Sequence, residues 1–140
     1  MAHPLHPDVK ASGSALAILD FSFVLNGTGA ISLATSAAGT QLRGAGAILP
    51  GGSIVYQAST GLYLITLGLN QTYRYITAKF AEIEDASSSD GARAVLGAPA
   101  NEGTNSQITI PLATYSAAGS LTNYTSRRCS VVLFMKNSSA

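Results

Sequence analysis

His3 and His6 are the only histidines among the 140 residues, and with Asp8 they place three metal-capable donors close together near the start of the chain. A His-x-x-His pair with a nearby carboxylate is a donor set that zinc accepts, but a working site needs further groups to hold those donors in place. Pro4, Pro7 and Gly13 interrupt any helix or central strand in this stretch, so no scaffold is expected there and no metal is assigned. The same two histidines are the usual kind of base for a hydroxyl or thiol nucleophile. No Gly-x-Ser-x-Gly elbow occurs, and Cys129 opens the apolar run CSVVLFM, where a thiol packs as a small hydrophobe. The chain therefore reads as non-catalytic.

Other constellations fall short in the same way. Glu82, Glu84, Asp85 and Asp90 bring carboxylates together as calcium requires, but without EF-hand spacing, and a solvated strand end is expected. With seven acids in all, a glycosidase-like carboxylate pair can always be imagined, and nothing positive supports one. Gly27-x-Gly29 lacks the third glycine of a dinucleotide loop, and Gly39 to Gly44 lacks the lysine and hydroxyl of a phosphate loop. No cofactor is expected. The eight Lys and Arg are scattered apart from Arg127-Arg128, so no basic stripe for nucleic acid is present. That pair reads as a strand flank or a salt-bridge donor between subunits. Tyr56, Tyr63, Tyr73, Tyr75, Tyr115 and Tyr124 are candidates for a carbohydrate- or receptor-binding platform, although tyrosine is equally at home inside sheets. Asn26, Asn70, Asn123 and Asn137 each begin an Asn-x-Ser/Thr triplet, which in a chain rich in Ser and Thr reads as turn chemistry.

Composition bounds the surface. Charged residues make up 11% of the chain and the net charge is +1, against about 25% charged residues in an average soluble protein. A monomer usually stays soluble behind interspersed charges, whereas interface cores are depleted in them. An assembly of several copies is therefore expected. No apolar run approaches the roughly 20 residues that cross a bilayer, so no membrane partner is expected. The start MAHPLHPDVK lacks the basic and apolar blocks of an export signal, and a single Cys cannot form an intrachain disulfide. Synthesis in the cytoplasm is the expectation.

The elements that would position these residues are strands. Residues 1–17 read as an extended arm and 18–140 as one domain of ordinary size. Ile18 to Leu25 alternates with Asp20 and Ser22 on the wetter face, and Asn26 to Gly29 reads as the turn of a hairpin to a strand at Ala30 to Ala34. A short strand is expected around Gln41 to Ala47, followed by a turn at Pro50-Gly51-Gly52. Ser53 to Ala58 and Gly61 to Leu67 form a hairpin with Tyr63, Ile65 and Leu67 on its core face. Tyr73 to Glu84 fits a long strand; Ile76, Phe80 and Ile83 also fit a helical face, and the aromatic and β-branched content favours the strand. Ala92 to Ala98, Ser106 to Ala113 and Cys129 to Lys136 complete about eight strands. Short strands separated by Gly, Pro and Asn turns indicate an all-β domain, as a β-sandwich, jelly roll or barrel.

Two blocks carry a resemblance. Gly61-Leu62-Tyr63-Leu64-Ile65-Thr66-Leu67, followed by Tyr73 and Tyr75, and the closing Val131-Val132-Leu133-Phe134-Met135-Lys136-Asn137-Ser138-Ser139 are similar to patterns in tailed-phage virion proteins. Together they cover about half of the chain. The resemblance implies a small capsid decoration, or cement, protein on the capsid surface, or a related tail or fibre component. It further implies a homotrimer that binds the major capsid protein through an extended N-terminal arm and carries no active site. Pro4, Leu5, His6 and Pro7 are the expected arm contacts, since proline lowers the entropy lost when an extended segment docks. A carbohydrate- or receptor-binding sandwich and a small jelly-roll enzyme are the other classes left open.

Overall fold

A computed structural model describes residues 16–32, 42–43, 48, 50–69 and 73–137. The strands are β1 (Leu16–Val24), β2 (Leu42–Arg43), β3 (Ser53–Gln57), β4 (Leu62–Thr66), β5 (Tyr75–Ile83), β6 (Arg93–Leu96), β7 (Thr109–Tyr115) and β8 (Arg128–Lys136). Among the described residues there is no helix, so the long segment before Glu84 is the strand its aromatics favour. The strands form two antiparallel sheets ordered β2-β1-β8-β5 and β3-β4-β7-β6. Apart from the two-residue β2, these are sheets of three and four strands, and they do not close into a barrel. The fold is a β-sandwich.

The core follows from period-two alternation. In the first sheet Phe21, Phe23, Ile83, Cys129, Val131, Leu133 and Met135 point inward. From the second, Ile54, Tyr63, Ile65, Leu67, Leu96, Ile108, Ile110 and Leu112 meet them, and all are buried. β8 pairs with β1 along its whole length, from Leu16 opposite Lys136 to Val24 opposite Arg128. On its other side it pairs with β5.

Two features depart from the sequence reading. β1 begins at Leu16, so Leu16 and Ala17 belong to the sheet and not to the arm; residues 1–15 lie outside the described residues. The hairpin after β1 does not form, because Ala30 bridges to Val55 in the opposite sheet and the Ile31 N–H donates to the Ile54 carbonyl. The place beside β1 is held by β8 on one flank and Leu42–Arg43 on the other, so the chain crosses the sandwich instead of turning back. Of the strand expected over Gln41 to Ala47, only Leu42–Arg43 is described.

β5 also breaks its own alternation. The register slips between Ile76 and Ala78, leaving Thr77 as an extra residue whose hydroxyl donates to the Phe134 carbonyl at 3.1 Å. A bulge of this kind exchanges the faces of everything beyond it. Ile76 opposite Met135 therefore shares the core side with Ala81 and Ile83, although sequence parity separates them.

Between the sheets, Tyr63 reaches from β4 to the loop after β1, where its hydroxyl accepts the Gly27 N–H at 2.7 Å. Gly27 is buried and has φ +68°, a region that favours glycine, and its carbonyl accepts the Asn123 amide at 2.9 Å. The Tyr63→Phe variant should keep the fold but lose about 1–3 kcal/mol of stability, because a buried N–H is left without its acceptor. Urea denaturation with an unchanged slope and a lowered midpoint would register that loss.

Candidate functional site

The residues singled out for chemistry are dispersed. His3, His6 and Asp8, like the arm contacts Pro4, Leu5 and Pro7, lie outside the described residues. Among the described residues no three His, Cys, Asp or Glu side chains converge as a metal would require. The acidic stretch is divided by the fold. Glu82, Glu84 and Asp85 line a shallow groove of about 260 Å³ together with Ile83, Arg128 and Ser130. Asp90 instead turns to Arg127, forming an ion pair with a second contact at 3.3 Å, and its carboxylate also accepts the Ala86 N–H at 3.2 Å.

That pairing separates Arg127 from Arg128. Alternation sends them to opposite sides of β8: the Arg127 guanidinium also stacks over the Tyr124 ring at 4.4 Å, while Arg128 donates to the Ser22 hydroxyl at 3.1 Å. Arg127 thus makes a contact within the chain at the flank of β8, in keeping with the strand-flank reading of the pair. The guanidinium beside Asp90, and then the Ala86 N–H, hold the Asp90 carboxyl below its ordinary range.

Cys129 is fully buried in the centre of the sandwich, where desolvation pushes its thiol up to about 12. A thiol in that state is packing. Burial is likewise the main cause that raises the Tyr63 hydroxyl. None of the six tyrosines is fully exposed: Tyr63 is core, and Tyr56, Tyr73 and Tyr124 pack against it. They do not form an exposed aromatic platform. Two of the four Asn-x-Ser/Thr triplets also serve the fold, since the Asn26 amide donates to the Ala30 carbonyl at 3.0 Å and Asn123 holds Gly27. Gly27-x-Gly29 is a turn whose first N–H is already engaged by Tyr63. Most of Gly39 to Gly44 lies outside the described residues.

What the fold does assemble is two broad outer faces, the first with an apolar centre flanked by Asp20, Glu82, Arg128 and Lys136. On the outside of the first sheet the strand register sets Ile18 beside Phe134 and Ala78, and the next row sets Asp20 beside Val132 and Phe80. Ile18 and Phe80 are each 59% exposed and Leu16 is 53% exposed. The Phe80 and Phe134 rings meet edge to face at 6.0 Å. On the outside of the second sheet Val55, Leu64 and Pro111 form one row, and Val95 stands 51% exposed beside Ala113. Arg93, at the margin, is the charged residue of that face among its strand positions. The sequence signal for the first patch was present in Ile18, Phe80 and Phe134, but β5 shows its outward set only once the bulge is known.

No protein family, curated protein or solved structure gave a significant match to the chain.

Two outcomes follow from the site geometry. The Cys129 thiol should resist a soluble disulfide reagent at pH 8 in the native protein and react fully in denaturant; the rate of colour release measures both. For Asp90 the folded carboxyl lies below its unfolded value of about 3.9. Its contribution to stability is therefore complete above that value and is lost as pH falls through the folded value. Melting temperatures of the parent and the Asp90→Asn variant should differ near neutral pH and converge in acid.

Proposed function

We propose that the chain is a virion structural protein that decorates and stabilises a phage capsid, binding the major capsid protein as a homo-oligomer, a trimer by family resemblance. The observation that carries this reading is the surface. The outer face of the β3-β4-β7-β6 sheet presents aliphatic and small polar side chains with Arg93 as the charged residue among its strand positions, and that of the first sheet centres on Ile18, Phe80, Val132 and Phe134, as protein-covered surfaces do. Of the two blocks that resemble virion proteins, Leu62–Thr66 is β4 and Val131 to Lys136 lies in β8, each an interior strand of its sheet, and Tyr75 opens β5. A tail or fibre position would use the same surfaces. A glycan-binding role has less to work with, because the tyrosines are buried or half-buried.

Such a protein acts by mass action. Binding the assembled shell and not free subunits adds its binding free energy to the assembled state. Several attachment segments on one oligomer add avidity without a new type of contact. The virion is then its location and the host cytoplasm its place of synthesis.

Mass spectrometry of purified particles from the genome that carries this sequence should find the chain in many copies, with antibody-gold on the shell. Particles that lack the chain would overturn the reading, and gold confined to the tail would move it to the tail or fibre. Removal of residues 1–15, which spares β1, should abolish attachment to shells while the native mass per oligomer stays that of the intact assembly.

A further inference from the structure

We infer that the outer face of the β2-β1-β8-β5 sheet is a contact between two copies of this chain, packed face to face with their strands reversed. The inference shares with the proposed function only the premise that the chain works as an assembly. It starts from the rows on that face. Moving along the strands, the Lys136 row is followed by the Phe134 and Ala78 row, then by the Val132 and Phe80 row, and then by the row that ends in Glu82. Apart from Asp20 on β1, this pair of rows is apolar, and it lies between Lys136 on one side and Glu82 on the other.

A two-fold axis that lies in the contact plane and runs across the strands superposes these rows in reverse order. Phe80 of one copy then falls over Ala78 of the other, and Phe134 over Val132, so large side chains meet smaller ones. The Lys136 row of each copy meets the Glu82 row of the other. Lys136 and Glu82 stand on adjacent strands, about 4.8 Å apart laterally, which a lysine stem spans. The other face-to-face two-fold, with its axis along the strands, sets Lys136 against Lys136 and Arg128 against Arg128. Like charges select the first arrangement. Asp20 falls beside Ile18 at the margin, because β2 flanks β1 only at Ser22 and Phe23 among the described residues.

Three strands by four rows cover roughly 400 Å² of each copy. The pair lies below the roughly 1,200 Å² of a stable interface, so the contact is weak in dilute solution. High local concentration on a crowded surface strengthens it.

Sedimentation equilibrium of the full chain at low salt, up to several hundred micromolar, tests this. Expected is self-association with even stoichiometry that weakens at least about tenfold in Phe80→Asp. Lys136→Glu should weaken it, and adding Glu82→Lys to that variant should restore it. Phe80 is largely exposed, so the variant should keep the parent circular dichroism; if it does not, Ile18→Asp on another strand of the same face replaces it. A chain that stays monomeric, an assembly indifferent to both apolar variants, or a charge exchange without rescue would overturn the inference. A trimer untouched by these changes sinks this contact while leaving the capsid reading standing. Absence of the chain from virions would have the opposite effect.

Discussion

Strand β8 has a partner on each side along nearly its whole length, and its inward side chains Cys129, Val131, Leu133 and Met135 are completely removed from solvent. A slip of one residue would bring Arg128, Ser130, Val132, Phe134 and Lys136 to the core in their place. Burying each apolar side chain contributes about 1.5–3 kcal/mol. A single ladder hydrogen bond contributes about 0.5–1.5 kcal/mol net and would form in either register. Apolar burial therefore decides the register, and the register of β8 decides what β1 and β5 present outward. The apolar rows on the outer face are a consequence of the core beneath them.

The second sheet is joined to this frame by a polar contact. Tyr63 fills the space between the sheets with its ring and delivers its hydroxyl to the loop that leaves β1. Its ring lies near those of Phe23 and Tyr56, so the same side chain packs and satisfies a buried donor. Asn123 meets the other side of the same glycine. The crossing from one sheet to the other is thus defined by side chains distant in sequence, which is why a local Asn-Gly signal pointed to a hairpin that the chain does not make.

With so few charges, their disposition carries meaning. Asp90 and Arg127 neutralise each other against Tyr124, and Glu102 accepts the Ile76 N–H at 2.6 Å at the edge of β5. Lys136 and Glu82 stand at the two ends of the outer apolar rows. Between them the outer face is apolar apart from Asp20.

Much of the architecture was legible in the residues themselves. Alternation in ILDFSFVL and LYLIT identified two strands and their core faces, because burial on a pleated sheet repeats every two residues whatever the partner is, and CSVVLFMK was legible as a strand. The isolation of Cys129 in an apolar run already marked its thiol as packing. Sheet order, the bulge at Thr77, the partition of Arg127 from Arg128 and the outward meeting of Phe80 with Phe134 were decided by tertiary structure alone. Each depends on which strand lies alongside which, and that pairing is fixed by the joint burial of side chains far apart in the chain, a constraint that no local window contains.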